Sequence, residues 1–137
     1  MQGIFSLPVR VYYEDTDAGG VVYHSNYLNF MERARTEWLR ALGFEQDQLR
    51  DREGVLFAVR AVTVDFLKPA RFNDALSVSV RLGKHGAASL ALAQTIERGD
   101  EVLSRGDVRI ACLDASRFQP CPIPAVVNAA INKWSQA

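Results

Sequence analysis

Apolar and polar residues change period along the chain, and each change marks an element. Over residues 7–14, Leu7, Val9, Val11 and Tyr13 alternate with Arg10, Tyr12 and Glu14, the period of a half-buried strand. From Asn26 the spacing becomes three and four: Tyr27, Met31, Ala34, Trp38 and Leu42, with Phe30 widening the stripe. That pattern predicts an amphipathic helix of about 17 residues, about 25 Å long. Ser25 or Asn26 can cap its start, and Gly43 stands where a glycine ends a helix. Residues 55–114 read as strand. Val55 to Lys68 is rich in β-branched and aromatic residues up to Pro69. Leu76, Val78, Val80 and Leu82 alternate with Ser77, Ser79 and Arg81, one face buried and one wet. Gly83-Lys84-His85-Gly86 reads as a turn, Leu90, Leu92 and Ile96 carry the next strand, and Arg98-Gly99-Asp100 turns into Val102 to Leu113. After Pro120, Pro122 and Pro124 comes a weak helical pattern through Val127, Ile131 and Trp134.

A strand, one long helix, then about four antiparallel strands make an α+β domain spanning residues 1–137. A single sheet must cover its apolar face, and the long helix is the available cover, so a curved sheet wrapped on a helix is expected. A remaining open strand edge invites a homo-oligomer. Composition adds exclusions. Sixteen basic residues balance sixteen acidic ones, which argues against a nucleic-acid binder. Residues 1–8 have no basic stretch followed by an apolar run, and no segment approaches the roughly 20 apolar residues of a membrane span. A cytoplasmic location is expected. Cys112 and Cys121 make no disulfide framework. With only His24 and His85 beside them, they make no structural zinc site either.

The segment Tyr13 to Tyr27 concentrates the chemistry. Glu14, Asp15 and Asp17, a Gly19-Gly20 pair and His24 immediately precede the patterned helix. A carboxylate supplies a base or nucleophile, while free amides at a helix N-terminus favour a developing oxyanion. That pairing suits attack on an activated carbonyl. Each residue also has an ordinary reading. Asp17 ahead of Ala18-Gly19 is a natural Asx turn, Asp15 a hydrogen-bond acceptor shaping the loop, and His24 a satisfied polar side chain. Tyr13, Tyr23 and Tyr27 are core or pocket aromatics. Glu32 and Arg35, spaced i,i+3, read as a surface pair.

The run Val9-Arg10-Val11-Tyr12-Tyr13-Glu14-Asp15-Thr16-Asp17-Ala18-Gly19-Gly20-Val21-Val22-Tyr23-His24-Ser25-Asn26-Tyr27, then Glu32 to Glu37 and Pro69-Ala70-Arg71, resembles the hotdog-fold acyl-CoA thioesterases. These are of the 4-hydroxybenzoyl-CoA thioesterase type, and the Tol–Pal-associated subgroup is the nearest. The resemblance implies hydrolysis of an acyl-CoA thioester, with Asp17 activating water or attacking the carbonyl itself. It implies the backbone amide of His24 as oxyanion donor, with Tyr13, Gly20, Val22, Tyr23 and Tyr27 about the substrate. Coenzyme A phosphates would meet a cation such as Lys84, with His85, Arg60, Lys68 and Arg71 as other candidates. No cofactor or metal is implied, and the pocket would form between subunits of a homodimer or homotetramer. A non-catalytic acyl-thioester-binding hotdog protein is the alternative, and an acyl-thioester dehydratase a further one. The dehydratase needs a histidine beside prolines, which His24 lacks.

Overall fold

The computed structural model describes residues 3–136; Met1, Gln2 and Ala137 of the expected 1–137 domain lie outside the described residues. Among the described residues, five strands form one antiparallel sheet: β1 (Ile4–Arg10), β2 (Val55–Phe66), β3 (Ala75–His85), β4 (Ser89–Arg98) and β5 (Glu101–Asp114), in spatial order β1-β3-β4-β5-β2. The helices are α1 (His24–Ala41), α2 (Gln46–Glu53) and α3 (Ala125–Ser135). The expected α+β layout, a sheet wrapped on one long helix, is therefore what the chain adopts.

Helix α1 forms because its apolar stripe meets the sheet. Phe30, Met31, Ala34 and Trp38 are essentially inaccessible, and Tyr27 and Leu39 nearly so. Burying each large side chain contributes about 1.5–3 kcal/mol. At Gly106 of β5 an added Cβ would lie 2.8 Å from Met31 Sδ, so the glycine leaves room for the Met31 thioether against the strand. Gly43, at φ 104°, follows the C-cap Leu42, where the sequence placed a helix-ending glycine.

Strand β2 carries a device that its alternation does not announce. Val59 pairs with Ile110 and Ala61 with Arg109, so Arg60 is an extra, bulged residue. The bulge flips parity. Val55, Phe57 and Val59 face the helix on one side of it, and Val62, Val64 and Phe66 on the other. Their partners Ile110 and Val108 belong to the core, and residues directly opposite share a face. Without the extra residue, half of these side chains would point away. Strand β2 is also an edge, and Val59, Val62 and Phe66 remain 51%, 44% and 51% exposed.

Several boundaries differ from expectation. Strand β1 ends at Arg10, and Tyr13–Asp15 forms a 3₁₀ turn. Helix α1 starts at His24, with Tyr23 as N-cap and no capping side chain. Strand β3 runs on to His85, so Lys84 is in a strand and the turn begins at Gly86. The short polar helix α2, with only Leu49 buried, has no counterpart in the periodicity. Arg35 is not a surface partner of Glu32. Its Nη1 donates to Gln94 Oε1 at 2.9 Å, and Gln94 Nε2 donates to the Met31 and Ser79 carbonyls at 3.0 and 3.3 Å. Burial pushes the Arg35 guanidinium below its usual value, against a weaker opposing effect of Glu32. This network joins the underside of α1 to the sheet.

Replacing Gln94 with Leu removes the acceptor of the Arg35 guanidinium and the buried amide that links the Met31 and Ser79 carbonyls. The expected loss is about 2–4 kcal/mol in urea unfolding. The double variant Arg35→Leu, Gln94→Leu should recover part of that loss.

Candidate active site

The loop that carries the acidic residues is a tight hairpin. Thr16 bridges Val22, the Asp17 amide donates to the Val21 carbonyl at 2.9 Å, and the Gly20 amide donates to the Asp17 carbonyl at 3.0 Å. This is a turn closed by a glycine in the left-handed region, Gly20 at φ 81°, which other residues adopt only under strain. Asp17 Oδ1 accepts the Gly19 amide at 2.8 Å, an Asx turn. Its Oδ2 takes no hydrogen bond among the described residues, and the residue is exposed.

Asp15 and Asp17 have opposite environments. Asp15 is buried; its Oδ2 accepts the Tyr12 amide at 2.8 Å and its Oδ1 accepts Asn26 Nδ2 at 3.0 Å. The Tyr23 amide donates to the Asp15 carbonyl at 2.9 Å. Asp15 thus ties the loop to the first turn of α1 and holds no free oxygen for chemistry.

A second segment locks the same region. The Val22 amide donates to the Ala70 carbonyl at 2.8 Å, and the Ala70 amide donates to the Tyr27 hydroxyl at 2.9 Å. Arg98 Nη1 reaches Asp74 Oδ2 at 2.7 Å and the Pro69 carbonyl at 3.3 Å. Desolvation alone would raise the Asp74 carboxyl. The Arg71 amide and the Arg98 guanidinium outweigh it and hold that carboxyl below its usual value.

Two clefts open on this frame. One, of about 510 Å³, is lined by Tyr13, Thr16, Asp17, Ala18, Gly20 and Phe72. The other, of about 340 Å³, is lined by Asp17, Val21, Val22, His24, Tyr27, Phe66, Leu67, Lys68 and Pro69. Asp17 is the residue common to both. The structure therefore brings Asp17, Val22, His24 and Tyr27 together, and sets Tyr13 and Gly20 on the other side of Asp17. The Tyr13 ring meets Phe72 edge-on at 5.9 Å. Tyr23 lines neither cleft; its ring lies 4.4 Å from the His24 ring. His24 opens α1, and among the described residues its amide donates to no backbone carbonyl.

Lys84 is elsewhere. It lines a depression of about 60 Å³ with Arg60 and Arg109, nine residues along β3 from the end near Arg71, roughly 30 Å in an extended strand. The pattern reading assigned no pocket role to Phe66, Leu67 and Phe72. The available signal was the placing of Phe66, Leu67 and Phe72 about Pro69-Ala70-Arg71; the structure leaves all three exposed, as large apolar groups at binding surfaces are. Lys68, weighed only as a candidate for phosphates, sits in the Asp17 cleft and pairs with Glu101 at 3.1 Å.

A five-stranded antiparallel sheet wrapped on a long helix, with a carboxylate-bearing loop at that helix's N-terminal end, is the hotdog architecture of thioesterases. The family model of the Thioesterase-like superfamily matches residues 11–131, and the chain belongs to that family. Among its relatives is the acyl-CoA thioesterase YbgC of Haemophilus influenzae, 43% identical over 93% of this chain and 94% of the relative. The acyl-CoA thioester hydrolase YbgC of Escherichia coli O6:H1 is 42% identical over 92% and 94%. A probable thioesterase from Bartonella henselae of known crystal structure superposes with a TM-score of 0.84. It is 35% identical, and the match covers 88% of this chain and 99% of that one.

Two outcomes follow from the loop. Asp15→Ala should lose about 1–3 kcal/mol of stability, since two donors are stranded. Asp17→Asn should unfold with the wild type, because an amide oxygen still accepts the Gly19 N–H. For Asp74, whose folded value is depressed, the stabilisation is complete above the unfolded carboxylate value near pH 4 and is lost as pH falls through the lowered one. The stability gap between wild type and Asp74→Asn, followed by urea unfolding from about pH 6 to about pH 2, should therefore close below about pH 4.

Proposed function

We propose that this chain hydrolyses acyl-CoA thioesters to a free acid and coenzyme A, with Asp17 as the reacting carboxylate and the His24 amide as oxyanion donor. The observation that supports this best is the position of Asp17, shared by two clefts with one oxygen uncommitted, beside the unsatisfied start of α1. In the reaction, Asp17 takes a proton from water as water adds to the thioester carbon, or Asp17 itself adds to that carbon. Negative charge grows on the carbonyl oxygen and is met by the His24 N–H and the positive end of α1. The C–S bond then breaks and coenzyme A leaves as a thiolate; on the covalent route water then cleaves the acyl–Asp17 anhydride, releasing the free acid and restoring the carboxylate. Val22, Tyr27 and Phe66 supply an apolar wall on one side of Asp17, and Tyr13 and Phe72 flank the other. Acyl group and pantetheine would take the two sides, with Gly20 at the rim and Tyr23 acting only through its packing on His24.

The assembly we propose is a homodimer through β2. The edge strand presents unpaired backbone and the exposed Val59, Val62 and Phe66, features a second copy would cover. In that dimer the Arg60, Lys84 and Arg109 cluster would serve the partner's coenzyme A phosphates. The cytoplasmic location expected from the sequence and an association with the Tol–Pal machinery, which the resemblance implies, belong to the same proposal.

Thiol release from a panel of acyl-CoAs tests the core of it. Asp17→Asn should lower kcat at least about 100-fold, while Glu32→Gln should not; the reverse would move the site onto α1. Absence of turnover by the wild type with tight acyl-CoA binding would favour the binding protein, and an enoyl product the dehydratase. His24 offers a sharper test. Tyr23 already has the extended backbone, φ −63° and ψ 136°, that a following proline requires, and the first helical position tolerates proline. His24→Pro should therefore keep the melting temperature and lose about 100- to 1000-fold in kcat with the amide, whereas His24→Ala should keep most of it. Val62→Pro, which removes an N–H on the free side of β2, should shift the protein toward monomer in light scattering and lower activity with it.

A further inference from the structure

Cys112 and Cys121 face each other where the end of β5 pairs with the tail. Leu113 bridges Pro120, the Asp114 amide donates to the Gln119 carbonyl at 2.8 Å, and the Cys121 amide donates to the Cys112 carbonyl at 2.9 Å. Both thiols are free, and their sulfurs are 3.8 Å apart. Residues opposed in an antiparallel pair have Cα atoms about 4.5–5.5 Å apart, inside the roughly 4.4–6.8 Å that a disulfide spans. Side-chain rotation alone can thus bring the sulfurs to bonding distance.

The two thiols differ in access. Cys112 is wholly buried within the core, while Cys121 is half-buried at its margin. Burial first, then the contact with Cys121, pushes the Cys112 thiol up to about 12. Cys121 is therefore the thiol that meets a solvent-borne oxidant, and Cys112 keeps its proton until a partner sulfur is presented.

We propose that Cys112 and Cys121 form a reversible oxidation site, which a hydroperoxide converts to an intrachain disulfide. The Cys121 thiolate attacks one peroxide oxygen, the O–O bond breaks, and the alcohol or water leaves with a proton, giving a sulfenic acid. The Cys112 sulfur then forms the S–S bond as the sulfenic hydroxyl departs with the Cys112 proton as water. Two thiols and one hydroperoxide become one disulfide, one alcohol (water, for hydrogen peroxide) and one water. The bond staples the segment that leads into α3. That segment already holds the buried Ile123, whose amide donates to the Ala87 carbonyl at 2.9 Å. Beyond it, α3 buries Val127 and Ile131 and sets Trp134 edge-on to Trp38 of α1 at 5.3 Å.

The test is to treat the reduced full-length protein with stoichiometric hydrogen peroxide. Intact mass, thiol content under denaturing conditions, and melting temperature are then measured. The expected product is lighter by about 2 Da, has lost both thiols, is restored by dithiothreitol, and melts several degrees higher than the reduced form. Cys112→Ser should yield a Cys121 sulfenic acid captured by dimedone, and Cys121→Ser should leave Cys112 unmodified. Over-oxidation of Cys121 with Cys112 still free, a disulfide found only between chains, or an oxidised form that melts no higher would each overturn the proposal.

Discussion

Everything about this molecule turns on one requirement placed on α1: it must be buried along its length and yet begin at the surface. Phe30, Met31, Ala34 and Trp38 are sealed against the sheet, and Gly106 leaves room for the Met31 thioether. A helix start buried in that way would strand its first amides without acceptors. The fold instead opens a cleft at that end, which His24 lines, and the His24 amide donates to no backbone carbonyl among the described residues. The dipole of the same helix adds a favourable potential there for negative charge. Burial of the helix body and availability of its first amide are thus two results of one packing arrangement.

The loop in front of α1 divides labour between two aspartates of the same local pattern. Asp15 gives both oxygens to the frame, one to the Tyr12 amide and one to Asn26. Asp17, two residues on, gives one oxygen to Gly19 and keeps the other. The frame is closed from behind by Ala70, tied at its amide to Tyr27 and at its carbonyl to Val22, and by Arg98, which grips Asp74 and the Pro69 carbonyl. An exposed carboxylate on an isolated loop would sample many positions. Here the hairpin, the Asx turn and the two tethers restrict it, and such preorganisation is what positions a reacting group.

How much of this could be read from the sequence follows from which interactions are periodic. The buried stripe of α1 and the alternation of β3 repeat at the spacing of their elements, so they were legible. The start of α1 was misplaced because serine and asparagine are favoured caps, whereas Tyr23 takes that position without a capping bond. Strand β1 was extended past Arg10 because alternation cannot register that Asp15 captures the Tyr12 amide and turns the chain. Helix α2 escaped because one buried residue, Leu49, makes no period. For the site, Asp17 and His24 were visible through their position before the helix, but Phe66 and Phe72 come from segments some 40 to 50 residues later, and only the tertiary fold sets them beside Asp17.

The bulge at Arg60 links the fold to the site. A strict alternation from Val55 would carry Phe66 to the outer face of the sheet, away from Tyr27 and His24. The extra residue restores parity, and Phe66 ends 5.2 Å from the Tyr27 ring and 6.4 Å from the His24 ring. The same shift turns Val62 inward, which leaves a row of half-exposed apolar side chains on the free edge of the sheet. One local irregularity therefore both builds the apolar wall beside Asp17 and leaves apolar side chains exposed along a sheet edge, the surface that the proposed homodimer would cover.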